Sequence, residues 1–324
     1  MFNRPLWIAL ASWCLAAALA PAALAADWPS KPITLVVPFP AGGSTDAVAR
    51  LIAQRLGARL NQTLVVENKA GAGGNLGTDF VAKAAPDGYT LALTTSGPLA
   101  NNKLLYKAMP FDPAKDLSPI VLVGEIPLVF AANPSVKAHN LKQFFDDARA
   151  KDGRMTIANP GNGTIGHLAA ALTQAIAKTD AIDVPYKGDT PAMSDLMGGM
   201  VDMVSAPLTA FVANIKAGKL KGLAVTSKKR FPLLPDVPTA IEQGFEVEAS
   251  VWFGVVGPAQ LPAAVVKRLN TEINAVLALP EVSARLQEYG ATVGGGTPEL
   301  LAERMASDAV KWKKVIDSAR ITLE

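Results

Sequence analysis

The stretch Pro38–Arg50, which reads PFPAGGSTDAVAR, lies between an apolar strand-like run, Ile33–Val37, and a helix-like run, Val48–Leu60. Its two adjacent glycines let the backbone come close to a ligand, because neither carries a Cβ. A polar residue within Ser44–Asp46 can cap the helix, whose free N–H groups and positive dipole end favour an anion. The loop, residues 38–46, holds no Lys, Arg, His or Cys, which suits binding rather than reaction. A plain capped turn between strand and helix is the alternative.

The first 25 residues have the pattern of a secretory signal peptide. Arg4 supplies the positive charge, Leu6–Ala20 the apolar region and Ala23-Leu24-Ala25 a cleavage site of small residues. This pattern predicts secretion of the chain, with cleavage after Ala25 or Ala26. The apolar run is short for a membrane span, which needs about 20 residues. A lipoprotein anchored through Cys14 is the alternative, and the bulky residue before that cysteine disfavours it.

The composition excludes several classes of protein. Cys14 is the only cysteine, so the exported chain would have neither a disulfide nor a thiolate metal site. The net charge of +3 gives no support for nucleic-acid binding. His139 and His167 have no metal-binding motif around them, and no G-x-S-x-G nucleophile motif occurs. We therefore expect a protein that is not an enzyme and that uses no metal and no cofactor.

Apolar strand-like runs alternate with helical patterns along most of the chain, and the last third is helical. This order predicts an α/β fold with two mostly parallel sheets flanked by helices. Two stretches, Asp116–Val129 and Phe231–Gly244, have the character of crossings between domains. They predict one domain of residues 26–125 plus 245–324 and a second of residues 126–244. Two lobes joined by two strands form a hinged cleft, a common position for a ligand.

A second glycine-rich loop, Asn159–Gly166, repeats the design of the first between the strand-like Met155–Ala158 and a helix that starts at His167. Its GNGTIG fits the dinucleotide pattern G-x-G-x-x-G, with Asp183 downstream. That pattern alone is weak evidence, and an exported protein has no evident supply of such a cofactor. The loop still predicts a second helix N-terminus suited to an anion. A third cluster, Gly71–Gly77, is either a packing turn or a ligand loop.

Three side chains near these loops have both a structural and a binding interpretation. Asp46 either caps its helix or accepts a proton from a ligand ammonium or hydroxyl. His167 donates a hydrogen bond either to a ligand or to its own loop. Tyr186 offers an aromatic face and a hydroxyl to a ligand, or it packs beside the solvated Lys187. The sequence alone leaves each of these choices open.

Taken together, short segments along the whole exported chain resemble the solute-binding receptors of tripartite tricarboxylate transporters, often called the Bug family. Their order and spacing are specific, although each is short. They are Trp28–Ile33, Pro38–Arg50, Val66–Gly74, Pro86–Thr90, Val184–Gly188, Leu223–Ser227 and Leu234–Thr239. The resemblance implies a two-lobed periplasmic binding protein of the type II-like architecture. Such a protein closes on a small carboxylate and delivers it to a membrane permease.

The resemblance also implies a site made of main-chain N–H groups, hydroxyls and ordered water rather than Arg or Lys. The residues carried over to one wall are Phe39, Ala41, Gly42, Gly43 and Asp46. Those of the facing wall are Asn162, Gly163, Thr164 and His167, with Ser96 and Tyr186 nearby and Ala206 and Pro207 at the floor. The expected partners are a small carboxylate and the permease subunits of the transporter, and the chain is expected to be a monomer.

Pro160 departs from the segment that family members often have ahead of these glycines, so the ligand need not be citrate. A dicarboxylate or tricarboxylate, an amino-dicarboxylate and an aromatic acid all fit the polarity of the loops. Two other functions remain open: a ligand-sensing partner of a membrane sensor kinase, and a secreted α/β enzyme.

Overall fold

The computed structural model of the protein describes residues 28–150 and 154–322. The predicted signal peptide, with Cys14 and the cleavage site, lies outside these residues. Within the described ranges, no helix has both the length and the apolar character needed to cross a membrane.

Ten strands and nine α-helices make up the described part of the chain. The strands are β1 (Ile33–Val37), β2 (Leu64–Asn68), β3 (Thr90–Thr95), β4 (Leu117–Ala132), β5 (Thr156–Asn159), β6 (Ile182–Pro185), β7 (Met203–Pro207), β8 (Lys221–Val225), β9 (Ser250–Pro258) and β10 (Thr292–Val293). The helices are α1 (Ser44–Leu60), α2 (Asn75–Ala82), α3 (Leu141–Ala150), α4 (Ile165–Ala177), α5 (Asp189–Met197), α6 (Val212–Lys216), α7 (Ala263–Leu277), α8 (Pro280–Glu288) and α9 (Pro298–Ala319). The predicted α/β alternation is confirmed.

The strands form two half-sheets that share β4. In the first half-sheet, β1 pairs in parallel with β2 and β3, and β9 runs antiparallel to β3 and to the first part of β4. In the second, β5 pairs in parallel with β6 and β7, and the last part of β4 runs antiparallel to β7 and β8. We call the first half-sheet with its helices lobe one and the second with its helices lobe two.

Strand β4 passes from one lobe to the other without a break. Its pairing with β9 ends at Pro127, opposite Ser250, and its pairing with β7 begins at the next residue, Leu128. Thr226 fastens this point, because its hydroxyl accepts from the Leu128 N–H at 2.8 Å and donates to the Ala249 carbonyl oxygen at 2.6 Å. One buried hydroxyl thus bridges the two chain segments that join the lobes.

The structure differs from the sequence-based expectation in three ways. The two predicted strands Ile120–Val123 and Leu128–Ala132 are parts of the single strand β4. The sheets are parallel only in their β1–β3 and β5–β7 portions, because the strands around the crossing run antiparallel. The stretch Phe231–Gly244 does not cross; it packs on lobe two, where Thr239 bridges to Val225.

Apolar helix faces cover the sheets. Val48, Ile52 and Leu56 are buried along one face of α1, four residues apart as a helical face requires. The nine residues of β9 are almost wholly buried and apolar, the pattern of a strand covered on both sides. The loops that follow β1 and β5 position the N-termini of α1 and α4 at the boundary between the lobes.

Candidate ligand-binding cleft

Hydrogen bonds to Asp46 hold the first glycine-rich loop in place. Helix α1 begins at Ser44, and the buried Asp46 carboxylate accepts hydrogen bonds from the Gly42 N–H, the Arg50 Nε and the Asn68 Nδ2, each at 2.9 Å. Burial raises the pKa of Asp46, but the hydrogen bonds from Arg50, Gly42 and Asn68 outweigh it and leave the pKa below its usual value. Gly43 is the N-cap of α1 and no side chain caps the helix, so the predicted cap within Ser44–Asp46 is wrong; Asp46 instead ties the loop to Arg50 and Asn68.

The second loop is stabilised by its own side chains. The Asn159 Oδ1 accepts from the Gly161 N–H at 2.8 Å, and the Thr164 hydroxyl donates to the Gly161 carbonyl oxygen at 2.7 Å. Thr164 is the N-cap of α4. The next two N–H groups, of Ile165 and Gly166, have no acceptor within the ranges the structure describes. They are the free first-turn donors that an anion would use.

His167 faces its own loop and Asp183. The Gly163 N–H donates to its Nδ1 at 3.4 Å, and its Nε2 lies 3.7 Å from an oxygen of Asp183. Burial lowers the pKa of His167, and the nearby Asp183 opposes this only in part. Burial raises the pKa of Asp183, against the opposing effects of His167 and of a hydrogen bond from Asn159. The His167–Asp183 pair thus lies beside the N-terminus of α4 and stabilises it.

The two lobes are in contact across the cleft at both ends of the loops. At one end the Ser44 N–H donates to the Asp189 Oδ2 at 3.0 Å, and the Thr190 hydroxyl donates to the Ala41 carbonyl oxygen at 3.3 Å. At the other end the Tyr106 hydroxyl donates to the Asn162 carbonyl oxygen at 2.9 Å. These cross-lobe bonds give the closed arrangement of a two-lobed cleft.

The third glycine cluster is part of this closing contact. A Cβ on Gly73 would overlap the carbonyl oxygen of Asn162 on the opposite lobe, and its φ of +60° also favours glycine. Beside it, Asn102 Nδ2 donates to the Gly73 carbonyl oxygen at 3.2 Å. The packing interpretation of this cluster fits the geometry, but the packing is between lobes rather than within a turn.

A small cavity of about 20 Å³, room for about one water molecule, remains between the two helix N-termini in this closed arrangement. Its lining comes from both lobes. The residues are Phe39, Pro40, Gly43, Ser44, Thr45, Thr95, Pro160, Thr164, Ile165, Gly166, Asp189, Pro207 and Val251. The Ser44 hydroxyl is buried and has no hydrogen-bond partner among the described residues. The cavity wall therefore offers main-chain and hydroxyl donors, and no Lys or Arg among the described residues lines it.

Of the residues predicted for the site, Phe39, Gly43, Thr164 and Pro207 line this cavity. The others lie in the same loops or strands without lining it: Ala41, Gly42, Asp46, Ser96, Asn162, Gly163, His167, Tyr186 and Ala206. The Tyr186 hydroxyl donates to Asp195 at 2.6 Å, and burial together with that carboxylate raises the pKa of Tyr186 to about 12. Ser96 is fully buried next to Thr95, and its hydroxyl has no partner within the described ranges.

Sequence reasoning missed the most polar residue of the lining, Asp189. It is the first residue of α5, and an acidic residue at a helix start is ordinarily explained by the helix dipole alone. No group of three or more His, Cys, Asp or Glu side chains in the described parts of the chain could hold a metal ion.

Comparison with known proteins places this geometry in a family. A sequence profile described as the tripartite tricarboxylate transporter family receptor, TctC, matches residues 48–321. The chain belongs to this family of receptors. A Pseudomonas sp. (strain P51) protein described as the UPF0065 protein in the tcbD-tcbE intergenic region is 41% identical over 298 residues, which cover 91% of this chain and 88% of that protein. BugT of Bordetella pertussis is 38% identical, with 89% of each chain covered.

Solved structures of TctC receptors and related proteins have the same fold. The periplasmic binding protein BugD aligns with a TM-score of 0.87 at 35% identity, over 92% of this chain and all of that one. R. palustris Rpa4515 with adipate gives a TM-score of 0.89 at 35% identity, with 91% and 99% covered. MatC from Rhodopseudomonas palustris with bound malate gives 0.86 at 32% identity, with 89% and 100% covered. The mixed α/β fold is thus that of periplasmic solute-binding receptors.

Proposed function

We propose that this chain is a periplasmic receptor that captures a small carboxylate between its lobes and delivers it to a tripartite tricarboxylate-type membrane transporter. The observation that carries the proposal is the pair of free N–H groups at the start of α4, which open onto a cavity that a second helix N-terminus faces. Helix N-termini favour anions through their dipole and their unpaired donors. The related structures with adipate and malate support the choice of a carboxylate.

The mechanism follows from how the donors are arranged. A carboxylate loses its water when it is enclosed, so several N–H and O–H groups must replace that hydration. In this chain the N–H groups of Gly43, Thr45, Ile165 and Gly166 and the Ser44 hydroxyl have no acceptor among the described residues and are donors for such a ligand. Because these groups belong to different lobes, a ligand that bridges them binds the closed state more tightly and shifts the population toward it.

The proposal extends to the organisation of the chain. The first 25 residues act as a signal peptide that is cleaved near Ala25 or Ala26, and the exported chain works as a monomer. Residues 26–125 with 245–324 form one domain, and residues 126–244 form the other. The thirteen residues inferred from the family resemblance, from Phe39 to Pro207, form the two walls and the floor of the site, four of them at the cavity surface and nine behind it.

Thermal unfolding of the ligand-stripped protein against a panel of carboxylates tests the binding role. A ligand at 100 times its Kd stabilises the folded state by about 2.7 kcal/mol, which raises the Tm by a few degrees. Gly43→Val should abolish the shift, because its side chain would enter the cavity that Gly43 lines. Gly198→Val is the matched control, since both glycines have negative φ and ordinary room for a Cβ, and Gly198 lies outside the cavity.

An absence of any shift with wild-type protein that unfolds cooperatively would contradict the binding role. The transport role has its own test, uptake of the bound acid by cells that carry the permease subunits with and without this receptor. Uptake that is equal in both strains would contradict delivery while leaving the binding role intact.

A further inference from the structure

Asp189 is a carboxylate in a cavity that the proposed function assigns to an anion. It is 8% exposed, it lines the cavity, and its Oδ2 accepts from the Ser44 N–H at 3.0 Å. No Lys, Arg or His of the described residues forms an ion pair with it. A buried carboxylate without a cation is unfavourable, so structures rarely keep one without a use.

The Asp189 carboxylate changes what the first wall can bind. It occupies the N-terminal end of α1, where it uses the Ser44 N–H and neutralises part of the positive end of the dipole. The Gly42 N–H in the same loop is already bound to Asp46. The first wall therefore presents a negative charge toward the cavity beside its own free Gly43 and Thr45 N–H groups, whereas the lining at the start of α4 has free donors and, among the described residues, no carboxylate.

The two walls thus differ in charge. A ligand carboxylate fits the α4 end, where the Ile165 and Gly166 N–H groups are free. A second carboxylate placed against Asp189 would bring two like charges together in a site from which water is excluded, and that is unfavourable. An ammonium at the same place would instead pair with Asp189 and supply the cation that the protein lacks.

We infer that the receptor selects a small zwitterionic amino acid over a dicarboxylate of the same length, and that Asp189 is the residue that sets this selectivity. This inference rests on the proposed function, and it distinguishes this chain from the relatives whose structures hold adipate and malate, which are dicarboxylates. Burial raises the pKa of Asp189 and the hydrogen bond from the Ser44 N–H opposes this, which agrees with a carboxylate that has no cationic partner among the described residues.

Isothermal titration calorimetry with matched pairs of probes tests the inference. The pairs are β-alanine with succinate, 4-aminobutyrate with glutarate and 5-aminovalerate with adipate, together with α-amino acids of two to six carbons. In each pair an ammonium replaces one carboxylate. We expect wild-type protein to bind at least one amino acid tenfold or more tightly than the matched dicarboxylate.

Asp189→Asn keeps the shape and removes the charge, so it should reduce that preference at least tenfold and leave dicarboxylate binding equal or tighter. Asp189→Ser is a second neutral variant in case the amide packs poorly. Asp180→Asn is the matched control: it removes an exposed carboxylate from the same lobe outside the cavity, and it should leave the preference unchanged.

The outcomes separate the inference from the proposed function. If wild-type protein binds dicarboxylates as tightly as amino acids, or if the Asp189 variants retain the preference, the inference is overturned and the carboxylate receptor stands. If folded wild-type protein binds no acid of either class, the proposed function fails as well.

Discussion

Two buried carboxylates meet the first turn of α1 in opposite electrostatic circumstances. Asp46 accepts from a guanidinium, an amide and a backbone N–H, whereas the Asp189 Oδ2 accepts from the Ser44 N–H without a cation. The pKa of Asp46 is therefore lowered and that of Asp189 is raised. The Asp46 carboxylate stabilises the loop, whereas burial destabilises the ionised Asp189 carboxylate.

The same substitution at these two positions should change the free energy of unfolding in opposite directions. A carboxyl with a lowered folded pKa stabilises above its unfolded pKa of 3.8, and one with a raised folded pKa stabilises only at low pH. At pH 7 we expect Asp46→Asn to lower the Tm by a few degrees and Asp189→Asn to raise it. In thermal scans the Asp189 difference should shrink as the pH falls toward 4, whereas the Asp46 difference should persist to about pH 4 and shrink only below it. A lower Tm for Asp189→Asn at pH 7 would contradict this assignment.

At the scale of elements, the closing contact consists of backbone from loops of opposite lobes. Gly73 lies against the Asn162 carbonyl, so the two loops meet without intervening side chains. This close approach explains why the Tyr106 hydroxyl reaches the same carbonyl oxygen from the lobe-one side.

Gly73→Ala should therefore prevent full closure. The added Cβ would overlap the Asn162 carbonyl oxygen, and we expect ligand affinity to fall at least tenfold. Small-angle scattering of the ligand-saturated variant should give a larger radius of gyration than that of wild type. Gly218→Ala is the control, because Gly218 has a similar φ of +68° but nothing within 4 Å of its Cβ position. Equal loss of affinity in both variants would assign the effect to backbone strain instead.

The Thr226 hydroxyl links the two chain segments where β4 passes from one lobe to the other. Thr226→Val leaves the Leu128 N–H and the Ala249 carbonyl without the buried hydroxyl, and we expect a loss of about 1–3 kcal/mol of stability. Denaturant unfolding measures it as a lower midpoint at constant m-value. Thr292→Val, at an exposed strand position, should change the midpoint little. Equal midpoints for the two variants would show that the Thr226 hydroxyl does not fasten the crossing.

At the scale of the molecule, the lobes share both a strand and a core. Strand β4 pairs with both half-sheets, and one continuous apolar cluster extends from Ile33 in lobe one through Phe130 to Leu223 in lobe two. We expect a single cooperative unfolding transition in which the calorimetric and van't Hoff enthalpies agree. Two resolved transitions would mean that the proposed domains, 26–125 plus 245–324 and 126–244, unfold separately.

Local patterns explain how much of this fold could be predicted from the sequence. Gly42 and Gly43 between an apolar run and a capped helix predicted the α1 entrance, and Asn159–Gly166 predicted the α4 entrance, because strand, turn and helix signals are local. Asp189 could not be assigned in this way, since its partner Ser44 lies 145 residues away and belongs to the other lobe. The unbroken β4 was missed because Gly124 and Pro127 within it resemble strand ends.

The contact that closes the lobes and the charge in the cavity come from different groups of the protein. Closure uses backbone atoms at Gly73 and Asn162, whereas the charge facing the cargo comes from one side chain, Asp189. After gene duplication, a single codon change at position 189 could therefore change which ligand the receptor binds, while the lobes still close in the same way. A bacterium that encounters a new carbon source could adapt such a receptor without changing the residues that close the lobes.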